Sequence, residues 1–412
     1  MFKKIVISTV ACATIVQASV FTVEVNNTTQ GASYSKSFTT VSDTLDGLNV
    51  DAIKNQISYN DTDALNAKLG FRGLPINLAY GANSNTLTLD IPSIGVSETF
   101  TGANRDKSID ALTDWLKKDG GSTVEKMMKE LAKVSPVDPI AGNPNSMMGL
   151  SVSNDFSNGF MNVASKQTTP TTSTTSSSNN IMIAPTYSSL DVDGTKSDSY
   201  TLPLAYSFNF DRDSRENITF SIPVTYVEVE GAKSGSLGLG LAYSKPVTDD
   251  WVLTPAVSYG VAGSVDLGSF AQVVSTSLTS SYSWGLPSDL TLSMGNMVGY
   301  YTTVKFIDND YAYDPGIQNI VYRNALMLNI PTNGFINDTS LETFVIDTRY
   351  TGTDLYMEEY QEYGLSYGYD SINLNVLSDN TKDAIRRSLK IGLSYLNSSK
   401  GNGFKVNFGF TF

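Results

Sequence analysis

The sequence predicts a mainly β protein in which a small α+β domain precedes a carboxy-terminal antiparallel transmembrane β-barrel of about 12 strands. Three observations predict it. Segments of alternating apolar and polar residues recur from about residue 181 to the carboxy-terminus. Only 17 % of the 412 residues are charged, against about a quarter in soluble domains, yet no apolar run beyond the amino-terminus is long enough for a membrane-spanning helix. The mean hydropathy of −0.12 fits a barrel, in which alternating faces cancel in any average.

The first 18 residues predict a cleaved export signal. Lys3 and Lys4 form its positive region, Ile5–Val16 is apolar, and a small-residue cleavage site ends at Ala18. Cleavage there removes Cys12, the only cysteine, which suits an oxidising compartment. A buried helix and a lipoprotein signal that ends at Cys12 are the alternatives.

Residues 19–165 are expected to form the small α+β domain. Strands are predicted around 21–25, 34–40, 68–80 and 86–100, because apolar residues alternate and turn-forming residues bound these segments. A helix is predicted over 43–57 from apolar residues spaced three to five apart. A helical hairpin follows, broken at Gly120-Gly121, with Ser122 and Glu125 as a capping box for its second helix.

Residues 166–180 are a Thr/Ser-rich linker that cannot bury apolar surface. Fifteen extended residues reach about 50 Å, against about 40 to 45 Å for a bilayer with its headgroups. The linker is therefore long enough to thread a barrel.

Residues 181–412 contain about twelve alternating segments, and an even number is usual for bacterial single-chain barrels. Most outward faces are clear, as in Tyr200, Leu202 and Leu204 opposite Thr201 and Pro203. One segment has Phe344, Ile346 and Tyr350 as its predicted lipid-facing side chains. Segment 371–387 does not fit the pattern and is expected to be a long turn with a helical piece at 381–387.

The last strand is apolar on one face up to its final residue. Its outward residues are Phe404, Val406, Phe408, Phe410 and Phe412. It resembles the closing strand of Gram-negative outer-membrane proteins. This resemblance implies a protein of the cell outer membrane that contacts outer-membrane lipid and is recognised by the barrel-assembly machinery through this terminal strand.

The polar face of the predicted barrel is rich in Gly, Ser, Thr and Asn. It also carries charged residues that are costly in a dry core but acceptable in a wet lumen. The candidate lumen-lining residues are Arg323, Asp347, Arg349, Lys390 and Lys405. In a channel, these charges would set ion preference.

The sequence offers little for catalysis or cofactor binding. It has no histidine, the usual general base at neutral pH, and the mature chain is expected to lack cysteine. We therefore predict no enzymatic activity, catalytic residue, cofactor or metal site. Calcium at Asp308-Asn309-Asp310 or at Asp191 and Asp193 is the alternative to solvated acidic loops. A net charge of −13 argues against nucleic acid as a partner.

The order of signal peptide, separate domain, polar linker and barrel resembles that of autotransporters, whose barrel translocates and anchors the preceding domain. Two features depart from that pattern: a Thr/Ser tract stands where a pore helix is expected, and the first domain is not a β-helix. The resemblance implies a translocator or anchor. A passive small-solute channel with a periplasmic or plug domain and a structural or adhesive surface protein are the alternatives.

Overall fold

A computed structural model describes residues 20–48, 50–118, 120–161, 163–164, 179–210, 213–308, 311–332, 339–372 and 387–411. The predicted signal peptide and almost all of the predicted linker lie outside these ranges. Residues 373–386, which belong to the segment that did not fit the barrel pattern, also lie outside them. Among the described residues, no helix has the length and apolar character needed to cross a bilayer.

The first part of the chain is a six-stranded antiparallel sheet, with order β2-β1-β3-β4-β5-β6. Its inner face is buried by alternate apolar residues, including Val23, Val25 and Leu69, as period-two alternation requires. The strands are β1 Phe21–Asn27, β2 Ala32–Phe38, β3 Leu65–Phe71, β4 Leu74–Tyr80, β5 Thr86–Ile91 and β6 Val96–Thr101.

The single strands predicted at 68–80 and 86–100 are each a pair of strands. Arg72 and Gly73 both have positive φ, 51° and 94°, which forms the tight two-residue turn that joins β3 to β4. A 3₁₀ turn at Pro92–Ile94 and Gly95 at φ 65° reverse the chain between β5 and β6. At each turn the buried positions shift by one residue, from odd numbers in β3 and β5 to even numbers in β4 and β6. The sequence analysis did not use this shift, and it read each pair as one strand.

Five helices accompany the strands within the described ranges. The helix predicted over 43–57 is two short ones, and the predicted helical hairpin is present. Its second helix is capped by the Gly120 backbone with no side-chain cap, so the Ser122–Glu125 capping box was wrong. The helices are α1 Val41–Gly47, α2 Val50–Lys54, α3 Arg105–Lys118, α4 Gly121–Val134 and α5 Met147–Phe156.

The rest of the chain forms a closed antiparallel barrel. β7 and β8 follow one another along both β9 and the last strand, β21, so they occupy one strand position and the barrel has twelve. The predicted fold class is confirmed. The strands are β7 Asn180–Ile183, β8 Thr186–Val192, β9 Thr195–Phe210, β10 Asp213–Val229, β11 Ala232–Pro246, β12 Trp251–Ser264, β13 Ser269–Gly285, β14 Thr291–Val304, β15 Phe306–Asp308, β16 Tyr311–Tyr313, β17 Gln318–Pro331, β18 Thr339–Gly352, β19 Glu359–Ile372, β20 Arg387–Ser398 and β21 Gly401–Thr411, of which β15 and β16 form a separate two-stranded pair.

The two faces of the barrel have opposite polarity. Outward side chains such as Leu202, Phe220 and Leu239 are large, apolar and exposed, whereas Ser199, Thr219 and other small polar residues of the inner face are buried. An apolar exterior around a polar interior is the arrangement of a transmembrane barrel, in which lipid covers the outer face. The structure is therefore that of a membrane-embedded β-barrel.

The two ends of the barrel differ. At one end, here called the sheet rim, the barrel turns meet the six-stranded sheet: Val41 of α1 donates its N–H to the Asp266 carbonyl at 2.8 Å, and Phe21 packs with Val229 and Leu267. At the other end, the terminal rim, β7 begins beside the end of β21.

Candidate functional site

The candidate site is the barrel lumen, which contains residues 139–164 of this same chain. Met147, Met148, Val152, Phe156 and Phe160 share one buried cluster with inner-face residues of the barrel wall. We call the described residues between 139 and 164 the lumenal segment. The predicted first domain, residues 19–165, thus has two structural parts, since its last residues lie inside the barrel.

A buried ion pair stands where the chain leaves the sheet. Arg72 Nη1, in the β3–β4 turn, lies 3.0 Å from Asp138 Oδ2, and both side chains are completely buried. Asp138 also accepts hydrogen bonds from the backbone N–H groups of Ile140 and Ala141. Burial raises the pKa of Asp138 and lowers that of Arg72, although each charge opposes the effect on its partner. The pair fixes the sheet to the start of the lumenal segment.

Helix α5 starts at the sheet rim. Ser146 caps it by accepting a hydrogen bond from the Gly149 N–H. Just before it, Asn145 donates to Ser197 Oγ at 3.2 Å and accepts from Ser199 Oγ at 3.1 Å, both on β9 close to its first residue. One amide side chain thereby matches two hydroxyl groups of the wall.

The middle of the lumenal segment carries a buried carboxylate. Asp155 Oδ2 accepts hydrogen bonds from Ser275 Oγ and from Tyr301 Oη, each at 2.9 Å. On another side, Asn154 and Asn158 both donate to Ser221 Oγ, at 3.1 and 3.2 Å. The polar lumen face therefore holds the segment through specific hydrogen bonds.

Aromatic side chains fill the space beyond Asp155. The guanidinium of Arg323 lies 5.2 Å from the ring centroid of Phe156, within cation–π distance. Phe160 packs so closely on Gly295 that a Cβ at Gly295 would stand 2.5 Å from its ring. Only a glycine leaves room for that ring in the wall.

These contacts give the segment a direction. Its early residue Asn145 meets Ser197, near the sheet rim, whereas its late residue Phe160 meets Gly295, the fifth residue of β14 counted from the terminal rim. The chain thus descends through the lumen from the sheet rim, and the barrel starts at the opposite rim with β7. A helix, α5, therefore precedes the linker and lies in the lumen, where the sequence analysis placed no helix.

Three of the five predicted lumen-lining residues face the lumen. Arg323 Nη2 and Lys405 Nζ each lie 2.5 Å from an oxygen of Glu362, and Lys390 Nζ lies 2.6 Å from Glu342 Oε1. The two glutamates are almost fully buried. Each lumenal cation named here therefore has a carboxylate partner, and Glu342 and Glu362 were not predicted.

Asp347 and Arg349 do not line the lumen. On β18, Ile346, Thr348 and Tyr350 are buried, while Asp347 and Arg349 alternate with them on the outer face. Ile346 and Tyr350 pack in the same cluster as the lumenal segment. The predicted register of this strand was wrong because the wall here faces an apolar filling, so its large apolar residues point inward.

The sequence analysis did not predict that α5 lies inside the barrel. The run Met147–Phe156 has no Lys or Arg, and it ends shortly before Gly159. Such low charge and close glycine packing are typical of a helix that is surrounded on all sides. That feature was the available signal, but it is equally compatible with the interior of the first domain.

The sheet rim has further polar contacts between the two parts of the chain. The Tyr356 N–H donates to the Ala132 carbonyl at 2.8 Å, and the Met357 N–H donates to the Gly142 carbonyl at 3.0 Å. Lys133 Nζ lies 3.0 Å from Asp354. Within the barrel itself, the hydroxyl of Tyr356 donates to Asp193, and burial together with this carboxylate raises the pKa of Tyr356.

The terminal strand is part of the closed ring. β21 pairs with β20 on one side and with β7 and β8 on the other. Phe404 and Phe408 are exposed on the outer face, as the alternation predicts. Among the described residues, we find no group of three or more Asp, Glu or Cys side chains placed to bind a metal ion.

No protein-family model and no curated protein matches the chain. Solved barrels are similar to it at low identity. The chain is 11 % identical to the β domain of the Bordetella autotransporter BrkA (TM-score 0.43; 57 % of this chain, 98 % of that one). It is 13 % identical to the COG4313 outer membrane channel of Pseudomonas putida F1 (0.40; 59 % and 98 %) and 12 % identical to LpxR of Salmonella typhimurium (0.36; 57 % and 99 %). At these scores the matches carry no argument about activity.

Proposed function

We propose that this protein is a non-enzymatic outer-membrane anchor that presents its own six-stranded sheet at the cell surface, as an autotransporter-like barrel does. One observation carries the proposal. The chain leaves the sheet at one rim, descends through the lumen as residues 139–164, and begins the barrel at the opposite rim. Only a chain with one end on each side of the membrane has this path.

Orientation follows from how barrels of this class sit in the membrane. In barrels with an even number of strands, both ends of the barrel face the periplasm. The barrel's own first and last strands start and finish at the terminal rim, which supports an orientation with the sheet rim outside. In this orientation, β21 is the element we propose for recognition by the barrel-assembly machinery.

The contents of the lumen favour an anchor over a passive channel. Ser221, Ser275 and Tyr301 of the wall bond to the lumenal segment, and the cations Arg323, Lys390 and Lys405 are paired with glutamates. A solute would have to displace these contacts. The small-solute channel therefore requires that the segment leave the lumen.

Labelling of single cysteines on intact cells tests the proposal. Leu45→Cys lies in α1 and is 60 % exposed, and we expect it to react with a membrane-impermeant maleimide. Thr248→Cys lies in the exposed β11–β12 turn at the terminal rim and is the matched control. It should react only after the outer membrane is permeabilised. If position 248 reacted on intact cells and position 45 reacted only after permeabilisation, the sheet would lie in the periplasm and the proposal would be wrong.

A further inference from the structure

Two amide side chains face the lipid in the middle of the barrel wall. Asn296 on β14 and Asn324 on β17 are directly paired outward positions, and we call them the asparagine pair. Counted from the terminal rim, Asn296 is the sixth residue of β14 and Asn324 the eighth of β17. A strand tilted by about 40° gains roughly 2.5 Å of barrel height per residue, which puts the pair roughly 13 to 18 Å above that rim. The apolar band of a barrel is about 25 Å tall, so the pair lies near its middle.

Apolar residues flank the asparagine pair along both strands. The next outward positions are Met294 and Val298 on β14, and Tyr322 and Leu326 on β17. Hydrocarbon offers no hydrogen-bond partner to a polar group. An amide that faces lipid at this depth is therefore costly unless protein groups satisfy it.

The wall formed by β10 and β11 shows what lipid contact alone selects. Leu241 and Phe220 are directly paired there, at the sixth residue of β11 and the eighth of β10 from the terminal rim. Both are exposed, as are their outward neighbours Ile222 and Leu239. At the same depth, one wall therefore carries apolar side chains and the other carries two amides, a difference that contact with lipid does not explain.

The asparagine pair uses only part of its hydrogen-bonding capacity. Asn296 Nδ2 donates to Asn324 Oδ1 at 2.7 Å. An asparagine amide has two N–H donors and one oxygen acceptor, so the Asn296 oxygen and both N–H groups of Asn324 are left over. Neither side chain has another partner among the residues that the structure describes. The pair thus presents an unused acceptor next to unused donors on the lipid-facing side of the wall.

This arrangement is complementary to itself. Copies of one chain have the same orientation in the membrane, so a symmetric contact between two of them has its two-fold axis along the membrane normal. Rotation about that axis keeps the depth of every residue and exchanges left and right. Asn296 of each copy then faces Asn324 of the other. Their depths differ by only roughly 3 Å, because paired positions climb by that amount between neighbouring tilted strands.

We propose that the wall of β14 and β17 is a homodimer interface within the membrane. In each copy, the Asn296 oxygen accepts a hydrogen bond from an Asn324 N–H group of the other copy. Polar side chains hold membrane segments together in this way because lipid does not compete for their hydrogen bonds. Two convex barrels touch along a narrow line, so a central pair of residues dominates the contact. The inference holds whichever rim is outside and is independent of the proposed function.

Cross-linking between unlike copies in the outer membrane tests this geometry. A tagged chain with Asn296→Cys is co-expressed with an untagged chain with Asn324→Cys, and the mature chains are expected to have no other cysteine. We expect an oxidant to give a covalent dimer of one tagged and one untagged chain. The matched control is Phe220→Cys in one chain with Leu241→Cys in the other, which lie at the same depth on β10 and β11 and should give no such product.

A double substitution tests the hydrogen bonds. Asn296→Leu with Asn324→Leu gives the lipid apolar side chains, so the barrel should keep its unfolding temperature. The fraction of dimer in mild detergent, measured by native mass spectrometry, should fall several-fold. Phe220→Leu with Leu241→Ile is the control and should leave the dimer fraction unchanged. An unchanged dimer fraction in the asparagine variant, absence of the cross-linked product, or equally strong linking of like copies would overturn the proposal. So would a cross-link to a different outer-membrane protein in place of the second copy.

Discussion

Glu362 lies at the centre of a buried cluster of charges inside the barrel. It bridges Arg323 and Lys405, and Arg323 also donates to Thr348 and to the hydroxyl of Tyr360. Its side chain is only 5 % exposed. Removal of one partner from a buried pair is costly because the remaining charge stays desolvated. The wall of β17, β19 and β21 therefore depends on this carboxylate.

We expect Glu362→Gln to destabilise the barrel by about 3 to 5 kcal/mol, because two buried cations lose their common counter-charge. The temperature at which the folded band is lost in a gel-mobility assay measures the effect. Glu228→Gln, an exposed glutamate, is the control and should change little. Lys405→Gln should cost less than Glu362→Gln, because Arg323 then keeps its partner. Equal unfolding temperatures for Glu362→Gln and the parent protein would contradict this account.

For single residues, the sequence predicted part of the lumen lining. Period-two alternation placed Arg323, Lys390 and Lys405 on the inner face because their neighbours in the strand are clearly apolar. The same rule inverted β18, where Ile346 and Tyr350 point inward. Alternation specifies which residues share a face, but the side on which a face lies depends on what fills the interior, and a single strand does not contain that information.

Helix α5 and the wall are complementary in shape, which Phe160 and Gly295 show best. The ring takes the space that any side chain at Gly295 would need. Cores packed to this density tolerate added volume poorly. The sequence did not reveal this contact, because a glycine in a strand has many uses and nothing local links residue 295 to residue 160.

A double-variant experiment tests this fit. Gly295→Leu should lower the unfolding temperature by several degrees, in line with a cost of about 1 to 3 kcal/mol for overpacking. Addition of Phe160→Ala should restore much of the loss, since it vacates the space. Gly409→Leu is the control, because a Cβ there meets no atom closer than 4.0 Å. Strictly additive effects at positions 160 and 295 would show that the two residues are not in contact.

The hairpins of the six-stranded sheet illustrate the same limit of sequence reasoning. Alternation holds within each of the two strands, but the turn at Arg72-Gly73 shifts the buried positions by one residue, from Leu69 in β3 to Leu74 in β4. Arg72 is not a usual residue for positive φ. Its place there follows from its buried ion pair with Asp138, a tertiary contact 66 positions away.

For the whole molecule, the fold class followed from the sequence because it depends on a pattern that recurs a dozen times. The position of the sheet relative to the barrel did not follow. That arrangement depends on contacts at the sheet rim and on the packing of the lumenal segment against distant strands of the wall.

Conductance in planar bilayers tests the filled lumen at the scale of the whole protein. We expect the mature full-length chain to be silent, since the lumenal segment bonds to the wall on several sides. A chain that begins at residue 179 should conduct, because it keeps all twelve strand positions but lacks the segment. Gel mobility confirms that both are folded. Steady conductance from the full-length chain would mean that the segment does not block the lumen.

The path of the chain also constrains the order in which the molecule is made. A closed ring of hydrogen-bonded strands surrounds a covalently continuous thread, and a folded six-stranded sheet is too wide to be drawn through that ring afterwards. Either the ring is sealed, by β21 joining β7 and β8, only after residues 139–164 are inside it, or the sheet folds only after its residues have passed through. Biogenesis of the continuous chain must therefore be sequential: the sheet and the ring cannot both be complete before the lumenal segment is in place.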